Sequence, residues 1–311
     1  DEAITAVLLT KDEARVAFRR PVSQAYLKKV VRRVRDRLDV KAEVPGCELS
    51  WLAEMTLPGS NELARLSGAG IANLVLVPHG VLHDIPFAAL PLGNRRLIEQ
   101  FVLRELPYAG LLKRSRAGAT AKATAAVLYY DGDPESGRSA NAQQEAEMVA
   151  KLYDNSAPQA VRDRQQLLSA FRDHQGVYFV GHAVGSRDDD NLFGKIDLPR
   201  VSPTDSGDLS VIDIVSFSDP FRARWVFLSA CEGARSYHSL GAEGLGMAQA
   251  LLQKGVRTVL ANLVTEKSQS KSPQILTPLI TALRRGDDPA TALAMMQRAA
   301  IQNRSPLHSW A

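Results

Sequence analysis

Apolar runs and helical periodicities alternate along most of this chain. The runs that predict buried strands lie at residues 73–78, 125–130, 177–180, 225–228 and 256–261. Between them, apolar residues recur at helical spacing, as at residues 142–153, where Ala146, Val149 and Ala150 share one face. Strands that alternate with helices predict an α/β fold with a mainly parallel sheet covered by helices on both faces.

The first third of the chain follows this pattern less regularly. We predict two short strands at residues 3–9 and 14–18, a helix from Pro21 to about Leu38, and a further strand at Leu97–Leu103. Residues 111–124 are rich in Lys, Arg, Ala, Gly and Thr and have little apolar pattern, which is typical of a linker. We therefore expect two lobes, residues 1–117 and residues 118–311.

Two of the predicted buried strands are each followed by a residue with catalytic chemistry. His182 comes after the run 177–180, and Cys231 comes after the run 225–228. Open parallel sheets bind their ligands at the C-terminal ends of the strands, so neighbouring strands would bring thiol and imidazole into one crevice. The two residues are 49 positions apart, close to the spacing in caspase-type sites. An imidazole that activates a thiol predicts a cysteine protease.

Other interpretations of the same residue types stay open. A buried cysteine at a strand end is often a small apolar residue, and a histidine there is often only hydrogen-bonded. Cys47 has no strand before it and is expected to be structural or incidental. His79 and His83 are four residues apart, but Pro78 and Pro86 bracket them, which favours a structural turn over a metal site.

Composition narrows the class of protein. The chain is 45% hydrophobic and 23% charged, with a net charge of +4, as is ordinary for a globular protein. The one dense basic cluster, residues 28–37, lies on the charged face of the predicted first helix, so we expect no direct nucleic-acid contact. Two cysteines and no long apolar run predict a cytoplasmic protein without membrane insertion. We expect neither a metal nor a cofactor.

An ordered set of motifs resembles the CHAT domain, a caspase-like family related to separase. The matching segments are Phe179-Val-Gly-His182, Leu228-Ser-Ala-Cys231-Glu-Gly, Gly241-Ala-Glu-Gly-Leu-Gly, residues 74–90, Gly132-Asp-Pro134 and Pro306-Leu-His-Ser-Trp310. The resemblance implies a caspase-like fold in residues 118–311, and in residues 1–117 a degenerate caspase-like lobe. It also implies a peptidase with His182 and Cys231 as its dyad, and we expect from it a role in bacterial defence.

Two departures from the family pattern lie beside the expected dyad. Ala183 follows His182 where the family usually has glycine, and Asn262 stands where the family usually has tryptophan. We expect the backbone N–H groups of Ala183 and Cys231 to form the oxyanion site, since backbone amides suit that task.

The end of the strand at residues 125–130 carries two carboxylates, Asp131 and Asp133, on a tight turn. In caspase-like relatives that cut after basic residues, an acidic side chain from this region lines the pocket for the residue before the scissile bond. The resemblance therefore implies that Asp133, or else Asp131, binds Arg or Lys of the substrate. An Asx-type turn is the structural alternative.

We accordingly expect an endopeptidase that acts on one particular protein under the control of a regulatory protein or an attached regulatory domain. A catalytically silent module with the same fold is the alternative, although the chain keeps both His182 and Cys231. A flavodoxin-like nucleotide-binding domain is a third hypothesis, but the chain has no phosphate-binding Gly-x-x-x-x-Gly-Lys-Ser/Thr loop.

Overall fold

The computed structural model describes residues 2–11, 13–113, 124–132, 141–184, 194–230, 236–237, 245–263 and 273–310. The strands are β1 Ala3–Leu9, β2 Ala14–Pro21, β3 Asn73–Leu76, β4 Pro91–Leu92, β5 Arg95–Arg96, β6 Val102–Glu105, β7 Ala125–Tyr129, β8 Gln159–Ala160, β9 Gly176–Val180, β10 Ala183–Val184, β11 Lys195–Asp197, β12 Asp208–Ser210, β13 Trp225–Ser229, β14 Ser236–Tyr237, β15 Leu245–Gly246 and β16 Thr258–Ala261. The α-helices are α1 Gln24–Asp39, α2 Gly46–Thr56, α3 Ser60–Gly68, α4 Leu97–Gln100, α5 Ala142–Tyr153, α6 Arg164–Asp173, α7 Val211–Ser216, α8 Met247–Gln253, α9 Pro273–Arg285 and α10 Pro289–Gln302.

Among these helices, none has the length and apolar character needed to cross a bilayer.

A five-stranded sheet organises the C-terminal part, with all its strands parallel and in the order β16-β13-β9-β7-β8. Every residue of β9 and β13 is buried, as their unbroken apolar runs predict. Because successive side chains of a strand point to opposite faces, the sheet has two cores. Helices α6, α7 and α8 cover one face, and helices α5, α9 and α10 cover the other. The predicted α/β class is confirmed, and this architecture is compatible with a caspase-like fold.

The N-terminal part is built around helices α1, α2 and α3. Their apolar faces pack with residues 85–101 in one core. Strands β3 and β6 form a two-stranded parallel sheet, and β1 and β2 form an antiparallel hairpin. A degenerate caspase-like lobe at residues 1–117 stays a prediction, and its boundary at residue 117 lies outside the described residues.

Polar and apolar contacts join the N-terminal part to the helices of the C-terminal part. Arg104 of β6 forms a 2.6 Å ion pair with Asp288, which also caps α10. The Nε of Arg298 on α10 donates to the main-chain oxygen of Ile98 at 2.7 Å. An apolar cluster continues across the same boundary, where Trp310 packs with residues of α4 and α10. Helix α10 therefore fixes the position of β6 and α4 against the rest of the protein.

Several predicted element boundaries differ from the structure, and local capping explains two of them. The first helix begins at Gln24 rather than Pro21, because Ser23 caps it and Pro21 still pairs with Ala3 as the last residue of β2. The predicted strand Leu97–Leu103 begins only at Val102. Its first residues form the short helix α4, whose start is fixed by the carboxylate of Glu99, which accepts from the N–H of Arg96 at 2.6 Å.

Candidate active site

The C-terminal ends of β9 and β13 lie side by side. The two strands are in register from Gly176 opposite Trp225 to Val180 opposite Ser229, which confirms that they are parallel neighbours. The ladder extends one residue further, where the N–H of Gly181 donates to the oxygen of Ser229 at 3.2 Å. His182 follows at once, so it lies just past the edge of the sheet. Cys231, two residues after Ser229, lies outside the described residues.

The imidazole of His182 is oriented by the main chain just after the neighbouring strand β7. Its Nε2 lies 3.2 Å from the carbonyl oxygen of Asp131. A carbonyl oxygen carries no proton, so we assign the ring proton to Nε2, which leaves Nδ1 as an acceptor. The backbone of His182 is held as well, because its own carbonyl accepts from the N–H of Asp197 at 2.9 Å. A histidine in this tautomer can take a proton at Nδ1.

The Asp131 side chain binds the start of helix α5. Its Oδ1 accepts from the N–H groups of Ala142 at 2.8 Å and Gln143 at 3.1 Å. These are donors of the first helical turn, which have no partner within the helix. Gly132 next to it has a φ of 90°, a conformation that suits glycine. Asp131 thus joins His182 to α5, whereas Asp133, the other predicted specificity residue, lies outside the described residues.

Ala183, the expected oxyanion donor, begins strand β10 and pairs with Ile196 of β11. Hydrogen-bonded and non-hydrogen-bonded pairs alternate along an antiparallel ladder. The Asp197 N–H already bonds to the carbonyl of His182, so the next pair, Ala183 with Ile196, is of the non-bonded kind. The pairing with β11 therefore does not use the N–H of Ala183. Whether this amide serves as an oxyanion donor stays a prediction.

Two further residues at this edge were not singled out as site residues by the sequence. The Nδ2 of Asn262 donates to the carbonyl of Ala230 at 3.2 Å, and so holds the residue directly before Cys231. Glu145 of α5 is buried and accepts hydrogen bonds from Tyr178 of β9 and Ser229 of β13. A sequence signal exists for Glu145, because it lies on the apolar face of its helix beside Ala142, Ala146 and Val149.

The other residues with catalytic or metal-binding chemistry lie elsewhere. The Nδ1 of His83 pairs with Oε1 of Glu105 at 2.9 Å, and His79 is exposed. Over the ranges that the structure describes, no three His, Cys, Asp or Glu side chains are grouped as metal ligands. Cys47 is an exposed free cysteine near the start of α2. None of these residues lies at the edge where β9 and β13 end.

A model of the CHAT domain family matches residues 48–311, which is well over half of the chain. The match includes His182, Cys231 and the whole five-stranded sheet. None of the curated proteins matches the chain.

Proposed function

This chain belongs to the CHAT domain family, and from that premise we propose that it is a cysteine endopeptidase with Cys231 as nucleophile and His182 as base. The family is associated with caspase-like peptidase activity. The observation that carries the proposal is the register of the two strands. Val180 is opposite Ser229, and the same offset of 49 residues separates His182 from Cys231 in the sequence. At roughly 3.3 Å per residue, the two residues of chain after Ser229 would bring Cys231 near the edge where His182 lies.

The proposed reaction uses the unprotonated Nδ1 of His182. This nitrogen takes the proton of the Cys231 thiol, and the sulfur attacks the carbonyl carbon of the scissile peptide bond. The N–H groups of Ala183 and Cys231 stabilise the oxyanion. The C–N bond then breaks as the imidazolium gives its proton to the leaving amine. Water finally hydrolyses the thioester, which releases the acid and restores the thiol.

The proposed specificity is for a basic residue before the scissile bond. Asp133 would bind it, because a carboxylate pairs with Lys or Arg and takes an Arg guanidinium in a bidentate contact. Asp131 is less suited to this pocket, since its Oδ1 already accepts two N–H groups of α5. The proposed substrate is a protein of the cytoplasm, and a regulatory protein or attached regulatory domain would control access to the site.

The test is cleavage-site profiling of a proteome with the wild-type protein and with Cys231→Ala as the matched inactive control. We expect peptide ends that depend on Cys231 and that share a basic residue at the cut. The profile is taken with and without the natural neighbouring domains and partners, so that an inactive isolated chain is recognised. Identical profiles for wild type and Cys231→Ala in every condition would favour a silent interaction module and contradict the proposal.

A further inference from the structure

Glu145 is a buried carboxylic acid that the proposed reaction does not use. It is 3% exposed and lies on the face of α5 that packs against the sheet. Burial of a carboxylic acid is costly unless its oxygens are hydrogen-bonded, so such a group in a core has partners. Two partners of Glu145 in the part of the chain that the structure describes come from strands that are far apart in the sequence.

These two partners belong to the strands that lead to the proposed dyad. The hydroxyl of Tyr178 on β9 donates to Oε1 of Glu145 at 2.9 Å, and the hydroxyl of Ser229 on β13 donates to the same oxygen at 2.5 Å. Tyr178 is four residues before His182, and Ser229 is two residues before Cys231. One carboxyl oxygen therefore bridges the middle of β9 and the last residue of β13, the two strands that precede the proposed dyad residues.

The helix that carries Glu145 is itself fixed to the third strand end. Ala142 and Gln143 of its first turn bind the carboxylate of Asp131, whose carbonyl oxygen contacts the imidazole of His182. Glu145 lies in the first turn of the same helix. The start of α5 thus contacts Asp131 just after β7, Tyr178 in the middle of β9 and Ser229 at the end of β13, and a displacement of α5 would change all three contacts together.

We propose that Glu145 is a positioning residue that sets the separation and orientation of Cys231 and His182. The proposal rests on the peptidase function proposed above and assigns to Glu145 no contact with the substrate. Catalytic steps are sensitive to geometry, and a misplacement of about 1 Å can cost on the order of 100-fold in rate. Removal of the carboxyl group should therefore lower the turnover of a protein that is still folded.

The experiment compares four variants with the wild type. Glu145→Ala removes the acceptor, Glu145→Gln keeps an acceptor oxygen, and Ser229→Ala removes the donor nearest to Cys231. The matched control is Glu147→Gln, on the same helix, where the side chain is exposed and accepts from Gln143 at 2.8 Å. Circular dichroism and a thermal melt establish the folded fraction of each, and rates are expressed per folded molecule.

Two rates are measured: turnover of a peptide substrate, and alkylation of Cys231 by iodoacetamide followed by mass spectrometry. We expect Glu145→Ala to lower kcat about 100-fold and Ser229→Ala about 10-fold, with KM changed less than about 3-fold. Glu145→Gln should keep most of the wild-type kcat, because its amide oxygen can still accept. Glu147→Gln should have the kcat of the wild type. The alkylation rate of Cys231 should fall in the same order.

The alkylation measurement needs no substrate, so it separates this proposal from the proposed function. A wild type that cleaves nothing in any condition, with or without its regulatory partners, would contradict the peptidase function. The order of alkylation rates would still decide the role of Glu145. If Glu145→Ala does not fold, the kcat and the Cys231 alkylation rate of Ser229→Ala decide whether the Glu145 contact positions the dyad. Folded variants that have lower melting temperatures but wild-type kcat and wild-type Cys231 alkylation would show that Glu145 only stabilises the fold and would overturn the proposal.

Discussion

Val180 and Ser229 are register partners on neighbouring parallel strands, 49 residues apart in the sequence. The proposed dyad residues His182 and Cys231 each come two positions later in the sequence. The hydrogen-bond register of a buried sheet therefore fixes the two points from which the chain continues to the proposed dyad. A slip of one residue would exchange the side chains between the two cores and turn Tyr178 away from Glu145, so the register is strongly specified. Changes at these strand ends should consequently affect reactivity more than changes elsewhere at the surface.

A thiol-directed peptide electrophile should label Cys231 in preference to Cys47. Cys47 is exposed but has no described histidine partner, whereas His182 is proposed to activate Cys231. His182→Ala should slow the labelling of Cys231 by at least about 100-fold, because general-base assistance typically contributes 10²–10⁴-fold. Mass spectrometry of the labelled peptides measures both sites in one sample, with Cys47→Ser as the control. Preferential labelling of Cys47 in the native protein would contradict the assignment.

Gly181→Ala should destabilise the protein and lower its activity. A Cβ at this position would lie 2.7 Å from Cζ of Phe179 and 3.2 Å from the carbonyl oxygen of Tyr130, so the chain before His182 would have to move. Overpacking of this kind costs about 1–3 kcal/mol.

The matched control is Gly46→Ala, where a Cβ would meet no atom within 4 Å. Urea unfolding monitored by fluorescence gives the free energy of unfolding of both variants. Equal stability of Gly181→Ala and wild type would mean that Phe179 moves aside at no cost.

Asp131→Ala should lower the free energy of unfolding by about 0.5–2 kcal/mol, the usual cost of losing a side chain that caps a helix. Asp131→Asn keeps a side-chain acceptor for the N–H groups of Ala142 and Gln143 and should lose less. Denaturant titrations of the two variants measure the difference. Because the contact with His182 comes from the main-chain oxygen, both variants should keep the imidazole orientation. A loss of activity without any loss of stability would point instead to a role of the carboxylate in substrate binding.

The proposed specificity pocket predicts that substrates with Arg before the scissile bond are cleaved faster than those with Lys, Asp or Leu. Asp133→Ala should reduce that preference by about 10-fold or more, since a charge-assisted hydrogen bond contributes about 1.5–3 kcal/mol. The comparison uses four peptides that differ only at this position. Asp131→Ala serves as the control, and its preference for Arg should equal that of the wild type. A preference that survives both substitutions would exclude these carboxylates from the pocket.

The sequence predicts the centre of the sheet well because strands β9 and β13 are buried on both faces. The unbroken apolar runs of β9 and β13 predict that both strands lie at the centre of a sheet covered by helices. Both strands lie there. The stretch Leu97–Leu103 is different. Its first residues are apolar but form helix α4, because a carboxylate three residues away satisfies a backbone N–H. Patterning alone does not reveal such a local hydrogen bond.

The site is predictable only in part for a similar reason. His182 follows from its place after a buried strand, but the Asp131 carbonyl that orients it is a backbone group, and every residue has one. Glu145 meets Tyr178 and Ser229 from 33 and 84 residues away, so its partners are set by tertiary packing. Neither contact has a signature within a short stretch of sequence.

The order of the strands has a consequence for biosynthesis. Strands β7, β9, β13 and β16 are neighbours in the sheet in the same order in which the ribosome synthesises them. At about 5–20 residues per second, Cys231 is synthesised roughly 2–10 s after His182. A nascent chain can therefore pair β7 with β9 before its nucleophile exists. The proposed dyad would then be complete only after strands β7 and β9 have both been synthesised.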